Sequence, residues 1–333
     1  MTNYLLHRVT GTLPVLLLIS LLVFLLIHAA PGDPTLLLLG EETNAAEVAR
    51  AKERWGLDQP LYVQYLKFLK SAVAGDFGKS FKYGEPVISV IKSRLPATIE
   101  LAVFSIIIAT CLAIPLGVWA GSRPNSWLDN FGTTFGLFGI SMPSFWLAIM
   151  LILLMAGVLN LLPTSGRSTY GVAGPEQTGF YILDSLLQQN WQAAWDALRH
   201  ILLPALALGV NMLGILMRVT RSAILEVMNE EYVTTARAKG LAESKVVWRH
   251  VTSNALIPVI TVVGLELGTL LSGSIIVETV FAWPGSGSLL ITALNSRDYP
   301  LVTGLVMSYT VAFVIINLII DGLYAVIDPR IRF

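Results

Sequence analysis

Two acidic residues stand where hydrocarbon would penalise them. Glu266 lies inside the apolar run Ala255–Val277, between Gly264 and Gly268, and Asp321 lies inside Val302–Val326. An unpaired charge near the bilayer centre costs a few kcal/mol on insertion scales. Each therefore needs a proton, a partner on another helix, or a water-filled path. Asn211 and Asn317 sit in comparable apolar surroundings and can hydrogen-bond between helices or offer polar groups to a ligand. Glu266, Asn211 and Asp321 are the candidate lining of a translocation path; interhelical hydrogen bonding, and for Asp321 pairing with a basic neighbour, is the structural alternative. Other chemistries lack their residues. No G-x-x-x-x-G-K-[ST] loop is present to cradle phosphates, and no H-E-x-x-H, paired zinc ligands or G-x-S-x-G elbow occurs. Cys111 stands alone, which excludes an internal disulfide or a cysteine zinc site, and reads as a small packing residue in the membrane. Ser272-Gly273 with the distant His200 or His250 is a faint hint of an intramembrane hydrolase, without the usual surrounding glycines.

The elements that must position these residues follow from composition. The chain has 333 residues, of which 54% are hydrophobic and 13% charged, with a mean hydropathy of +0.68. Soluble domains carry roughly 25% charged residues, so a soluble enzyme is excluded in favour of a membrane protein. The 22 basic and 22 acidic residues cancel, which removes the electrostatic case for a nucleic-acid partner.

A crossing needs about 20 mostly apolar residues. Runs of that kind lie near Val9–Ala30, Ala97–Gly121, Phe131–Leu161, His200–Met217, Ala255–Val277 and Val302–Val326. The third is too long for one straight span and contains Met142-Pro143, which predicts a kinked or broken helix ending at Leu162-Pro163. The first exceeds the 7–15 residues of a signal-peptide core and lacks an A-x-A site, so it reads as an uncleaved helix. Basic residues set the orientation. With the N-terminus in the cytoplasm, Arg8, Arg123, Arg218, Arg221, Arg237, Lys239, Lys245, Arg249, Arg330 and Arg332 fall inside, while the short outer loops hold Arg167, Arg199 and Arg297. Both termini are then cytoplasmic.

The chain divides into residues 1–30 (tail and first span), an extracytoplasmic helical insertion 31–96, and a core 97–333. In the insertion, Asn44 and Glu47 have capping-box spacing for a helix reaching Trp55 and stopping at Gly56. Pro60 begins a second helix with Leu61, Tyr65, Leu66 and Leu69 on one face, ended by Gly75, and a third short helix starts at Pro86. The insertion is a structural cap or a docking surface. In the outer loop 162–199, Trp191 and Trp195 share a helix face and read as membrane-interface residues. The inner loop 219–254 is the most informative stretch. Its residues favour helix from Glu231 to Lys239, Gly240 suits a left-handed cap, Leu241 returns to the preceding turn, and a second helix starts near Ser244. Helix, glycine elbow and helix make a knob that fits a groove on another protein.

This loop resembles the cytoplasmic "EAA" loop of ABC importer permeases of the dipeptide, oligopeptide and nickel family. The resemblance extends, in the family's order, to "LLHRVTGTLPVLLLISLLVFLLIHAAPGDP", "GLDQPLYVQY", "GDFGKSF", "ISMPSFW", "VETVFAWPG", "RDYP" and "DPRIR". It implies the first permease subunit of such a transporter: an all-α polytopic membrane protein of six transmembrane helices in the bacterial cytoplasmic membrane. It further implies a second homologous permease, two cytoplasmic ATPases carrying Mg-ATP, an exported solute-binding protein, and no cofactor in this chain. The coupling segment carries over to Glu231, Tyr232, Thr234, Thr235, Ala236, Arg237, Ala238, Lys239 and Gly240. Thr234 and Thr235 stand where the broad pattern has Glu and Ala, and the outer motif reads "WPGSGS" rather than "WPGLGR". Short peptides are the expected solute, with nickel or glutathione import as the alternative within the family. An ion-coupled secondary transporter would account for Glu266 and Asp321 without needing the helical knob.

Overall fold

The computed structural model describes residues 2–29, 59–169, 172 and 177–327. The expected helix beginning at Asn44 lies outside this set. The described helices are α1 Thr2–Ala29, α2 Leu61–Val73, α3 Val87–Ser122, α4 Trp127–Ser141 and α5 Ser144–Leu151, the last continuing as π-type turns over Ile152–Val158. They are followed by α6 Tyr181–Leu187, α7 Trp191–Met228, α8 Glu231–Ala238 and α9 Glu243–Lys245, with π-type turns over Val246–Val251. The series ends with α10 Thr252–Gly273, α11 Ile275–Val280, α12 Ser286–Asn295 and α13 Tyr299–Ile327. Extended pairing among the described residues is confined to one bridge between Lys79 and Pro86.

Four of these stretches, Val87–Ser122, Trp191–Met228, Glu243–Leu270 and Tyr299–Ile320, are long and apolar enough to cross a bilayer. A fifth crossing is possible if the bent pair α4 and α5 is one span; its two parts meet at 103°. The break falls at the expected Met142-Pro143. Proline disfavours helical backbone at the residue before it, and Met142 is extended at φ −83°, ψ 128°. The first expected span coincides with α1, a helix of 28 residues. The helix expected at Pro86 runs unbroken through Pro96 into the span, whereas α7 departs from expectation and extends well beyond His200–Met217 at both ends.

The helices form two compact units. One comprises Leu95–Ser288 with the second half of α13, and α7 runs through its core. Lipid is as apolar as leucine, so helices in a bilayer associate through close packing, which small residues permit. On α7, Gly209 meets the Ser105 carbonyl of α3, and a Cβ there would lie 3.1 Å from that oxygen. Gly214 lies against the backbone of Gly136 in α4, and Gly139 of α4 approaches the Val210 carbonyl. Gly117 and Gly121 of α3 make room for Thr220 and Ile224. Ser126 caps α4 by accepting from the Asp129 amide at 3.2 Å, and Asn190 caps α7 by accepting from Ala193 at 3.1 Å. Asp129, buried, receives both Nε and Nη2 of Arg221, the latter at 2.8 Å, tying α4 to α7. Cys111 is exposed on α3, so it is not the packing residue expected: the helix turns other residues toward α7.

The other unit comprises Leu6–Arg94 and Leu289–Val311, as far as these are described. Val87, Val90, Ile91, Leu289, Ala293, Leu301 and Leu305 form its core. Its polar keystone is Asp298, fully buried, which accepts from the Ser80 hydroxyl, from Lys82 N at 3.1 Å and from Leu301 N at 3.2 Å. The "GDFGKSF" and "RDYP" stretches therefore meet. The α2 face differs in part from expectation, because Leu61 and Leu66 are exposed. Tyr65 of the expected face, joined by Phe68, turns to Phe24 of α1, with centroids 5.5 and 5.9 Å away, and Tyr65 shares a 2.9 Å hydrogen bond with Ser20.

Candidate functional site

The knob between α7 and α10 is built on a buried strip. Val233 and Ala236 of α8 pack with Ile224, Val246, Val247 and Val251. Of the candidate coupling residues, Ala236 thus supports the helix from beneath, while Glu231, Tyr232, Thr234, Thr235, Arg237, Ala238, Lys239 and Gly240 are exposed. Gly240 has φ +75°, a conformation that side chains with a Cβ rarely adopt, and donates to Arg237 O at 2.9 Å. Leu241 N reaches Ala236 O at 3.4 Å. The elbow is bridged by Arg237, whose Nη2 and Nε donate to Glu243 at 2.7 and 3.2 Å. Tyr232 Oη is held by Asn254 Nδ2 at 2.8 Å and donates to the His250 carbonyl at 3.3 Å. The result is a short, pre-formed helix with one face fixed and the other free.

A second polar assembly occupies one turn of α3. Thr98 and Glu100 project from that turn into different networks. Glu278, fully buried in α11, accepts from Thr98 Oγ1 and Ser274 Oγ, both at 2.8 Å, through one carboxylate oxygen, and from Ser288 N at 2.9 Å through the other. Among the described residues no cation reaches it; the α12 N-terminus supplies partial positive charge instead. Gly285 and Gly287 leave room for the carboxylate, since a Cβ on Gly287 would lie 2.9 Å from it. Trp283 Nε1 donates to Ala97 O at 2.9 Å, closing the motif onto α3.

Glu100 has a different environment. Arg167 donates to it at 2.6 Å, also donates to Gly179 O at 2.7 Å, and stacks 4.0 Å from the Tyr181 ring. Glu100 accepts from Ile182 N at 2.9 Å. Asp184 accepts from the backbones of Gln177, Thr178 and Gly179 and from the Thr178 hydroxyl at 2.6 Å. Burial raises the Asp184 carboxyl, but these donors outweigh it and hold the group below its usual value. At Glu278 deeper burial prevails over the donors and pushes the carboxyl above its usual value.

The three candidate path residues are not brought together by any described contact. Glu266 is half-buried on α10. Its neighbours Gly264 and Gly268 pack against Ile320 and Phe313 of α13. Two residues along a helix turn by about 200°, so Glu266 projects from the side of α10 away from that contact. Asn211 reaches the Met142 carbonyl at 3.5 Å, at the α4–α5 break, where the bend frees that carbonyl from the helix ladder. Asp321 lies in α13, and its side chain is outside those described. His200 bonds the Asp196 carbonyl of its own helix at 2.8 Å. Trp191 and Trp195 are exposed.

The described residues thus form a helical, polytopic membrane protein with a pre-formed helical knob between two spans. The chain belongs to the family described as binding-protein-dependent transport system inner membrane components: residues 113–333 match that family, and residues 1–102 match its N-terminal region. It is similar to the dipeptide transport system permease protein DppB of Alkalihalophilus pseudofirmus, 39% identical over 333 residues that cover 100% of both chains. It is similar also to the probable D,D-dipeptide transport system permease protein DdpB of Escherichia coli K12, 42% identical over 98% of this chain and 96% of the relative. The glutathione transport system permease protein GsiC of Salmonella typhimurium is 39% identical over 100% of both chains. Among solved structures, the inward-facing MetNI methionine ABC transporter is 16% identical, with a TM-score of 0.49 over 70% of this chain and 93% of that one. The protein is thus an ABC importer permease rather than an enzyme, and ATP hydrolysis belongs to partner ATPases.

The Glu278 cage generates a prediction. Glu278→Ala removes the acceptor of two hydroxyls and an amide, at about 1–3 kcal/mol per orphaned group. At about 2–4 °C per kcal/mol, its melting temperature in detergent should fall by roughly 6 °C or more. Because the folded state holds the Glu278 proton more tightly than the unfolded state, stability from this group is present at low pH and declines as pH rises past 4.5. Glu278→Gln should flatten that decline while melting closer to the wild type than Glu278→Ala. An unchanged pH profile in the Gln variant would refute this account of the carboxyl.

Proposed function

We propose that the chain is one of two permease subunits of an ATP-driven importer of short peptides, coupled to cytoplasmic ATPases through Glu231–Gly240. The observation that carries this reading is the knob: Val233 and Ala236 fix α8 beneath, so its exposed face is presented as a rigid body. Two of the similar proteins are named for dipeptide transport and one for glutathione transport. Glutathione is itself a small peptide, so these names share one solute chemistry. Import of glutathione is the second reading that a relative favours.

In this reading the chain crosses the membrane six times, with α1 as the first span and both termini in the cytoplasm. Residues 31–96 then lie outside and contribute to docking of the solute-binding protein. A second homologous permease completes the path, and Mg-ATP binds the two ATPases. Glu266 and Asn211, with Asp321, face the path. Glu266 projects away from the α13 contact and lies half-buried at the edge of the stripe of Val259, Val263 and Leu270, so its exposed part is what is available to the path or to the second permease.

Replacing Gly240 with Val forces a β-branched side chain into left-handed backbone and shifts the elbow. The complex should then assemble poorly or lose at least about 90% of solute-stimulated ATP hydrolysis, a barrier change of about 1.4 kcal/mol. Normal assembly with normal stimulation would remove the coupling assignment. Glu266→Gln should fold normally but change the pH dependence of transport, and Glu266→Leu should impair transport further; normal transport by both would leave Glu266 a packing residue. A cysteine at the exposed Lys67, with Cys111 replaced, should react with a membrane-impermeant thiol reagent from outside intact cells. Labelling confined to disrupted membranes would invert the topology.

A further inference from the structure

A cavity of about 280 Å³ lies between α4 and α7, outside every role assigned above. Gly132, Gly136 and Gly214 lie at this close crossing among its lining residues, with the Met217 side chain over Gly132 and Ile140 over Gly214. One wall ends in two arginines of unequal status. Arg221 is neutralised by the buried Asp129. Arg218, three residues earlier on α7, is exposed, and among the described residues no carboxylate meets it. The Ser222 hydroxyl lies on the same rim, exposed. The opposite wall is apolar. Leu137 lines the cavity and is 52% exposed, and the adjoining α4 face carries exposed Phe131, Phe135 and Phe138, the first two stacked at 6.1 Å. An uncompensated guanidinium thus stands at the mouth of a groove whose outer wall belongs in hydrocarbon.

We propose that this groove binds an anionic phospholipid. Arg218 pairs with the headgroup phosphate, Ser222 donates to a second oxygen, and the start of an acyl chain lies along Leu137 and Met217. Charge complementarity selects the occupant. A zwitterionic headgroup carries its own cation, which competes with Arg218 for the phosphate, whereas a net negative headgroup supplies the missing charge without that competition. A free phosphate satisfies Arg218 but leaves the apolar wall unused.

The test uses the assembled transporter, extracted from membranes in mild detergent and weighed by native mass spectrometry. The unaltered complex should retain phosphatidylglycerol in preference to phosphatidylethanolamine from an equal mixture. Arg218→Ala should reduce that retention about tenfold, the loss expected for one charge-assisted hydrogen bond, and Arg218→Lys should restore part of it. Arg249→Ala, at an exposed arginine elsewhere, should change nothing. Equal retention of both lipids by the unaltered complex overturns the proposal even if the alanine variant fails to assemble. Unchanged retention in Arg218→Ala also overturns it, as does displacement of the lipid by inorganic phosphate alone. A cysteine at Leu137, with Cys111 replaced, tests the remaining occupant: quantitative cross-linking to the second permease would make this face a subunit interface and end the lipid assignment.

Discussion

Close backbone approach along α7 is the constraint on which its unit depends. In water, apolar side chains drive helices together, but in lipid that force is absent and dispersion must replace it. Dispersion falls steeply with distance, so glycine at the contact points is worth more than a larger apolar residue would be. Gly209 and Gly214 on α7, Gly136 and Gly139 on α4, and Gly117 and Gly121 on α3 supply those points. Burying α7 in this way has a consequence at its end. Ile224, near that end, packs directly with Val233 and Ala236 of α8. The knob is therefore anchored to the most enclosed helix of the unit, and a push on α8 is transmitted to packed glycine contacts rather than dissipated in a loose linker.

The polar residues at Thr98 and Glu100 solve a different problem with the same economy of space. Irregular segments near a bilayer must satisfy their own backbone groups. Glu100 does so by ordering Arg167, whose second donor holds Gly179 O, and by accepting from Ile182 N. Glu278 does so without an ion pair. Its donors come from hydroxyls and from the start of α12, with Gly285 and Gly287 ceding the room. The two carboxylates thus differ in what compensates them, an arginine in one case and uncharged donors in the other.

Hydropathy and local punctuation reveal four of the six expected spans, the Met142-Pro143 break and the Gly240 elbow, since each depends on residues close in sequence. They do not reveal Glu278. Its partners Thr98 and Ser288 are distant or unremarkable residues, and a carboxylate six residues before a Pro-Gly pair carries no local signal. The pairing of Ser80 with Asp298 is hidden for the same reason, though "GDFGKSF" and "RDYP" are both conspicuous as strings. Periodicity at α2 picks out Tyr65, which does meet Phe24, but Leu61 and Leu66 of the same face are exposed, and Phe68, three residues on from Tyr65, joins the contact. The helix begun at Pro86 leads through Pro96 into the span, as its run of apolar residues suggests, although proline removes a ladder donor there.

Glu266 shows how far the geometry of one subunit can narrow a role. On α10, the glycines at 264 and 268 commit one side of the helix to α13, and Val259, Val263 and Leu270 turn toward the core around α7. A carboxylate that bound either neighbour would serve as glue within the chain, but no hydrogen bond to Glu266 is present among the described residues. Leu265 and Thr269, beside it, are exposed. Glu266 shares that second face, three residues from Val263 and four from Leu270, at the edge where the exposed Leu265 and Thr269 begin, so it is half-buried rather than uncovered. Hydrocarbon is the least favourable cover for an ionised carboxylate at that edge. The exposed half of Glu266 therefore calls for a proton, for water or for a polar group from outside the chain, the same choices that its place in an apolar run poses.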